Sequence, residues 1–421
     1  MNELLVTALI LPFLGKYRKP ATLMAFLFAV YLSLVEGYYL ATFFFILSIV
    51  LMGISRWEPA KYPLLFLAMF DLIGLVNSQN LLELFLYFEL AIYASYFLIF
   101  GKENLRALFR YFIVNSIGSA FMIFAIALTF VTSGSLNYLT NPALVFFVLG
   151  LLIKLGMAPF QDWLVEIYHK VSLSLILFFS VVLTEVAPLA LLMVVDRPVK
   201  ALELLALFSM LLANLLALAE KDLIRLLALI DASNLAFDLL AISIATAASR
   251  VAAIYMMFSH VLAMALAFSV IVLSGSKRIS RLYIPPALTA PFFAAFFILS
   301  GLPPFHLFPA KVVLFSAVFD ATQGTSYLLL FNLLLNAMVA LRVMAAAKTG
   351  KTKKAIPLSF TVLVWSLVLI SLILGLFPNF FFQLSASQLA YLGGPHLGFS
   401  ESLIPSIPAS FGQTLTGLIS R

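Results

Sequence analysis

Residues 145–160 read VFFVLGLLIKLGMAPF, a long apolar run that contains one lysine, Lys154, and five residues later a proline, Pro159. An ionisable side chain at mid-membrane depth costs at least about 3 kcal/mol on insertion scales, so it is kept where it faces a polar interior. A proline inside a helix removes a backbone donor, and irregular backbone within a membrane is tolerated only against protein or a water-filled cavity. The stretch therefore predicts a broken transmembrane helix that buries a charge.

The composition fits this interpretation. Of 421 residues, 64% are hydrophobic and only 10% are charged, which predicts an all-α polytopic membrane protein. A soluble domain could not cover its surface with so few polar groups, and an outer-membrane barrel would alternate with period two. The chain contains no cysteine, which excludes thiolate metal sites, iron–sulfur ligation and disulfides. We expect no bound metal and no redox cofactor.

Glycine, proline, asparagine and charge clusters divide the chain into about fourteen apolar segments. We expect transmembrane helices near residues 3–15, 20–36, 38–54, 61–78, 81–100, 108–132, 142–165, 171–194, 200–219, 223–246, 250–274, 284–318, 325–346 and 357–377.

Basic residues are distributed unequally between the two sets of connections. The links from odd to even helices carry 19 lysines and arginines, and the opposite side carries 4. Basic loops stay in the cytoplasm, so this asymmetry predicts that both termini lie on the non-cytoplasmic side of the plasma membrane. The net charge of +7 then reflects topology, and no nucleic-acid partner is expected.

A second apolar segment repeats the combination of lysine and proline. It runs from Gly301 to Lys311 and contains Pro303, Pro304 and Pro309, so we expect these prolines and Pro159 to break two helices. Two such helices, five segments apart, predict inverted five-helix repeats with an ion path between them. The expected organisation is helices 1–3 in residues 1–60, repeats in 61–194 and 200–346, helix 14 in 357–377 and a non-cytoplasmic tail in 378–421.

Five motifs between about residues 61 and 346 occur in the order typical of one family. They are Asn80-Leu-Leu-Glu-Leu-Phe-Leu-Tyr-Phe-Glu89, Leu105-Arg-Ala-Leu-Phe-Arg-Tyr-Phe, Lys154 with Pro159, Trp163 and Tyr168, Asp222-Leu-Ile-Arg-Leu-Leu-Ala228, and Gly301-Leu-Pro-Pro-Phe-His-Leu-Phe-Pro-Ala-Lys311. The sequence resembles the antiporter-like subunits of respiratory complex I, and most closely the D-type subunit of Mrp cation/proton antiporters. The resemblance implies a row of charged residues along the membrane midplane, with Lys154 as the central proton carrier.

The sequence also departs from the family pattern. The eighth helix has Glu185 in place of a lysine, Asn234 stands where the family often has histidine, and Met264 occupies a position where many members place a second lysine. Asp231 and Asp238 are additional acids, and their spacing of seven puts them on one helix face.

We therefore predict an ion or proton pathway through Glu89, Lys154, Glu185, His260 and Lys311. Further candidates for the pathway are Asp71, Asp231, Asn234, Asp238 and His306. Structural alternatives exist for each group. Glu89 and Lys154 could form a static ion pair, the long Lys311 side chain could reach toward the membrane interface, and His260 could be a satisfied hydrogen-bonding group.

Glu185 leads to a separate expectation. Two neighbouring lysines repel each other's charge, so a proton is readily lost from one of them. If Glu185 instead faces Lys154, each charge stabilises the other and the lysine stays protonated. The chain would then be a weakened pumping module, a path for another cation or a mainly structural subunit.

The expected function is translocation of protons and/or sodium as a subunit of an energy-converting membrane complex, such as a membrane-bound hydrogenase or sulfur-reducing complex. Alternatives are the D-type subunit of a stand-alone Mrp antiporter, and a scaffold whose charges only hold helices together. Expected partners are other antiporter-like subunits, small Mrp-type subunits and membrane lipid. Electron transfer would belong to partner subunits.

Overall fold

The computed structural model describes residues 18–35, 61–101, 104–180, 184–274, 278–350 and 358–392, together with Leu11 and Ile46. The first and third predicted helices, 3–15 and 38–54, lie essentially outside these residues, as does the tail beyond residue 392.

The described part of the chain is almost entirely helical. The helices are α1 (Arg18–Val35), α2 (Lys61–Val76), α3 (Leu81–Ile99), α4 (Leu105–Ser133), α5 (Asn141–Leu155), α6 (Asp162–Lys170), α7 (Leu173–Phe178), α8 (Thr184–Val194), α9 (Lys200–Ala219), α10 (Leu223–Ile244), α11 (Ala247–Ser274), α12 (Pro286–Ser300), α13 (Leu307–Ala321), α14 (Gln323–Ala346), α15 (Leu358–Leu376) and α16 (Asn379–Leu392). Two short strands, β1 (Tyr283–Ile284) and β2 (Lys348–Thr349), pair in parallel.

Six described helices are long and apolar enough to cross a membrane, namely α3, α4, α9, α10, α11 and α14. The pair α15 and α16 would add a seventh if it forms one bent span. Helices α10 and α11 are buried along their whole apolar windows, whereas about a third of α4 is buried. Because other helices cover these two windows completely, α10 and α11 form the centre of the described bundle.

Both segments that combine lysine with proline are broken, as predicted. Helix α5 ends at Leu155 and α6 begins at Asp162, while α12 ends at Ser300 and α13 begins at Leu307. The residue after each first half-helix is a glycine in the left-handed conformation, Gly156 with φ 64° and Gly301 with φ 70°. Glycine adopts this conformation without the steric cost that a Cβ imposes, so it ends the helix before the proline is reached.

Three of the four predicted helix-breaking prolines lie in these interruptions. Pro159 follows a cis bond from Ala158, and a cis bond also joins Pro303 to Pro304. The expectation for Pro309 is wrong, because this residue is the third of α13. A proline is tolerated in the first turn, where the backbone N–H has no helical partner.

The connections between helices separate into two sets. On one side, the backbone of Lys221 accepts a hydrogen bond from Ile279, and the Leu282 carbonyl accepts one from Lys348. On the other side, the Leu136 carbonyl accepts a hydrogen bond from Leu81. In the second half of the chain, backbone hydrogen bonds therefore join the connections that the sequence predicts to lie on the basic side.

The segment expected to be a tail begins with a helix. Helix α16 follows α15 after a bend of 84° and packs on α11, where the Tyr255 ring lies 4.6 Å from that of Phe382. The Tyr255 hydroxyl also donates to the Leu374 carbonyl at 3.4 Å. Aromatic residues at the start of α16 thus form an apolar face that packs on α11. The prediction of a tail did not take this face into account.

Candidate functional site

The first group of buried charges joins α3 to α5. Lys154 Nζ lies 2.7 Å from Glu89 Oε1, and the two residues are 4% and 8% exposed. Ser119 Oγ lies 2.9 Å from each carboxylate oxygen of Glu89. The Phe88 ring lies 5.2 Å from the ammonium nitrogen. The predicted pairing of Glu89 with Lys154 is present in the structure.

Two glycines allow this pair to form. Helices α4 and α5 approach closely at Gly118 and Gly150, where a Cβ on Gly118 would lie 2.8 Å from the Gly150 oxygen and 2.8 Å from Lys154 Cγ. A larger side chain at Gly118 would occupy the space through which the Lys154 stem passes. The glycines therefore position the lysine between α4 and α3.

The second group surrounds Lys311, which is 3% exposed and lies in the second turn of α13. Its ammonium donates to Asn234 Oδ1 at 3.2 Å and to the Leu299 carbonyl at 3.5 Å. It also lies 4.2 Å from the centre of the Phe237 ring. The Lys311 side chain points into the bundle. It therefore does not extend toward the membrane interface, which was the structural alternative.

The third group links the two halves of the chain through α6, α8, α10 and α11. Asp231 of α10 accepts a short hydrogen bond from Tyr168 of α6, and its other oxygen lies 2.5 Å from His260 Nε2 of α11. Glu185 of α8 lies 4.0 Å from the same histidine nitrogen. All four residues are buried. Asp231 is therefore the centre of a polar cluster within the membrane region.

Among the ion pairs of the described residues, Glu185 has His260 and not Lys154 as its partner. Lys154 pairs with Glu89. Glu185 lies in the first turn of α8, which packs against α10 as well as α5. The expected contact that would hold Lys154 protonated is absent from these ion pairs, and the acid acts on the Asp231 cluster instead.

Two further acids are buried without a hydrogen bond among the described residues. Both carboxylate oxygens of Asp71 in α2 and of Asp238 in α10 lack a hydrogen-bonding partner there. Asp238 lies on the face of α10 that also carries Asp231 and Asn234, the partner of Lys311, whereas Asp71 lies on α2, which carries no residue of the three groups. Asp238 thus joins the second and third groups, and Asp71 stands apart from them.

His306 has a different environment from the one expected. Its Nε2 lies 2.9 Å from the Ser259 carbonyl and therefore donates, so Nδ1 accepts from the Ser371 hydroxyl at 2.6 Å. Both ring nitrogens are satisfied by neutral groups on α11 and α15. These two hydrogen bonds use both ring nitrogens of His306, so the residue joins α11 to α15. It is not bonded to Lys311 or Asp238 of the predicted pathway.

Sequence reasoning missed the roles of Tyr168 and Ser119 in these groups. Tyr168 was visible only as part of a motif, and its bond to Asp231 depends on how α6 packs against α10. Ser119 lies thirty residues from Glu89 in the sequence, with nothing in the local pattern to connect them. Within the described ranges, no group of three or more histidine, aspartate or glutamate residues has the arrangement of a metal site.

The fold and these groups define a polytopic helical membrane protein with ionisable side chains in its interior. Residues 78–338 match the family model described as NADH:quinone oxidoreductase/Mrp antiporter, TM. The match covers more than half of the chain, and the protein belongs to this family. The sequence prediction of an antiporter-like subunit is confirmed.

Relatives and solved structures agree with the family assignment. The chain is 28% identical over 325 residues to NADH-quinone oxidoreductase subunit N of Campylobacter lari, an alignment that covers 68% of each protein. A chain of the Mrp complex from a Dietzia species has the same fold, with a TM-score of 0.83, 18% identity and coverage of 95% and 97%. A chain of the archaeal membrane-bound sulfane sulfur reductase has a TM-score of 0.82 at 19% identity, with coverage of 92% and 96%.

Proposed function

We propose that this chain translocates protons and/or sodium ions through its buried charged residues, as a membrane subunit of a multisubunit complex related to complex I and Mrp. The observation that carries the proposal is the presence of three buried polar groups within one bundle of packed helices. They are the Glu89–Lys154 pair, the Asp231 cluster and Lys311 with Asn234. Such groups are costly within a membrane and are retained for ion pathways.

The two halves are joined through acids and a tyrosine in this proposal. Tyr168 and Glu185 belong to the first half, and Asp231 and His260 belong to the second. A proton that reaches Asp231 can be exchanged with His260 over 2.5 Å, a distance short enough for transfer along a hydrogen bond. Asp238 shares one face of α10 with Asp231 and with Asn234, the partner of Lys311, and is the proposed step between this cluster and Lys311.

Inverted repeats within a fourteen-helix chain are part of the proposal. The break at Gly301 follows the break at Gly156 by 145 residues, and the cis bond at Pro304 follows that at Pro159 by the same interval. The same interval relates Asn234 to Glu89, and each provides an oxygen to a buried lysine. These coincidences support equivalent five-helix units in residues 61–194 and 200–346.

The family and the charge distribution support a proposal for the location and the partners. We assign the chain to the plasma membrane, with both termini outside the cytoplasm and other antiporter-like and small Mrp-type subunits beside it. A cysteine placed at the exposed Ser280 tests the orientation, since this chain has no other cysteine. The Ser280→Cys residue should react with an impermeant reagent only from the cytoplasmic side of sealed vesicles, and labelling from outside would reverse the assignment.

Ion flux in vesicles containing the whole complex tests the function. Glu89→Gln should reduce the flux of protons, followed by a pH-sensitive dye, or of sodium, followed by radioactive uptake, at least tenfold. Glu203→Gln is the matched control, because Glu203 also forms a close ion pair, 2.6 Å from Lys200, but lies outside the three groups. Equal flux in both variants would show that Glu89 only holds helices together.

A further inference from the structure

A pocket of about 420 Å³ opens where the beginnings of α4 and α10 meet α6. Its walls come from three links that the sequence predicts to be on the same, cytoplasmic side. The lining residues are charged almost throughout and comprise Arg106, Arg110, Asp162, Val165, Glu166, His169, Lys170 and Arg225. None of them belongs to the three buried groups, so the pocket has no part in the proposed ion path.

The positive charges in this pocket exceed the negative charges. Arg110 pairs with both acids, with Glu166 at 2.9 Å and with Asp162 at 3.4 Å. The remaining cations, Arg106, Lys170 and Arg225, are exposed and form no ion pair with another described residue. The pocket can therefore accept an anion of at least one negative charge.

Asp222 is a further acid at this junction, and it is already engaged. Its carboxylate accepts hydrogen bonds from the backbone of Ile224 and Arg225 at the start of α10. It also lies 3.7 Å from His169 Nδ1. This acid therefore caps a helix beside His169, and within the described residues it forms no ion pair with Arg106, Lys170 or Arg225.

An apolar surface continues directly from the two arginines. Arg106, Arg110, Ile113 and Ile117 recur at intervals of three or four residues and share one face of α4. Ile113 and Ile117 are 55% and 48% exposed, so this face is uncovered within the described residues. The pocket thus lies at the end of an apolar stripe that runs along the helix toward the membrane interior.

We propose that the pocket binds the phosphodiester headgroup of an anionic phospholipid, whose acyl chains lie along the exposed stripe of α4. Arginine matches phosphate oxygens with paired N–H donors, and basic pockets at the cytoplasmic ends of helices recognise acidic lipid headgroups. A free phosphate would satisfy the cations but leave the stripe uncovered. The combination of the two features favours a lipid.

Retention of lipid on the purified complex tests this site. The complex is taken from vesicles of phosphatidylcholine that contain one-tenth phosphatidylglycerol, and bound lipid is counted by native mass spectrometry. The wild type should retain phosphatidylglycerol selectively, and the variant R106Q/K170Q/R225Q should lose at least tenfold in retention. The variant K221Q/R281Q/K348Q is the matched control, since it removes three exposed charges from the same side and should change retention less than twofold.

Other outcomes would overturn the proposal. Release of the lipid by excess inorganic phosphate would indicate a site for a free anion, and equal retention of phosphatidylcholine would remove the role of charge. A photoreactive group at position 170 that crosslinks to another subunit in place of lipid would identify a protein contact. The single variant K170Q, at an exposed position, repeats the measurement with little risk to folding and should reduce retention at least threefold.

Discussion

Lys154 and Lys311 are both buried beside a broken helix, but their ammonium groups have different partners. Lys154 lies 2.7 Å from a carboxylate, whereas Lys311 contacts an amide oxygen, a backbone carbonyl and an aromatic ring. Loss of the proton from Lys154 would leave Glu89 charged and unpaired. Loss of the proton from Lys311 would leave two neutral acceptors, the Asn234 amide oxygen and the Leu299 carbonyl.

The two lysines also lie on opposite sides of the helix breaks, one before its break and one after it. Lys154 precedes Gly156, while Lys311 follows Gly301 and extends back to the Leu299 carbonyl. Leu299 is the position that follows Lys154 by the interval of 145 residues between the two breaks. Under the proposed repeat, the second half places an ammonium group at the equivalent point with a side chain from a different half-helix. Local sequence can differ while the position of the charge is preserved.

The largest effect is expected when one member of the Glu89–Lys154 ion pair is removed. Lys154→Met leaves Glu89 as a buried unpaired charge and should lower the free energy of unfolding by about 3–5 kcal/mol. Denaturant titration of the purified chain in detergent gives this value. A loss below about 1 kcal/mol would mean that Glu89 is not charged in the folded protein.

The same substitution in the second half should cost less. Lys311→Met removes hydrogen bonds to neutral groups and should lower the unfolding free energy by about 1–3 kcal/mol. Asn234→Asp, which supplies the missing carboxylate, should make a subsequent Lys311→Met change as costly as Lys154→Met. If the costs of Lys154→Met and Lys311→Met are equal in the parent protein, the distinction between the two sites fails.

A conservative substitution tests the hydrogen bond between Tyr168 in the first half of the chain and Asp231 in the second half. Tyr168→Phe removes the donor to Asp231 and should reduce the unfolding free energy by about 1–3 kcal/mol, because a buried acceptor loses its hydrogen bond. It should also reduce ion flux if the cluster joins the two halves. Tyr255→Phe is the control, since its 3.4 Å bond to Leu374 is long and lies outside the cluster. Unchanged flux in Tyr168→Phe would remove this residue from the path.

The smallest effects concern the helix breaks. Gly156→Ala should destabilise the chain by about 1 kcal/mol or more, because a Cβ is strained at φ 64° and would lie 3.1 Å from Leu164 Cβ. Pro309→Ala should change stability by less than about 1 kcal/mol, since Pro309 occupies the first turn of α13. Thermal melting compares the two, and a larger loss in Pro309→Ala would restore the proline as a determinant of the break.

Sequence reasoning identified the parts of the site whose signal is local. Glu89, Lys154 and Lys311 were visible as single charges within apolar runs, and all three are buried. Glu185 was equally visible, but its direction depends on the packing of α8 against α10, which the pattern does not encode. The left-handed glycines were overlooked because the nearby prolines gave a stronger signal, although a glycine after a helix is a recognised end. The helix of residues 379–392 was also missed, because it packs on α11 and the local sequence does not indicate such a contact.

The central claim is that the buried charges carry ions and do more than hold helices together. The double variant with Glu89→Gln and Lys154→Met tests it, because removal of both charges avoids an unpaired group and should restore most of the stability lost in Lys154→Met. Flux through vesicles containing the assembled complex is the measurement. The account predicts an assembled, stable complex with at least tenfold lower ion flux. Flux equal to that of the wild type in the stable double variant would contradict it.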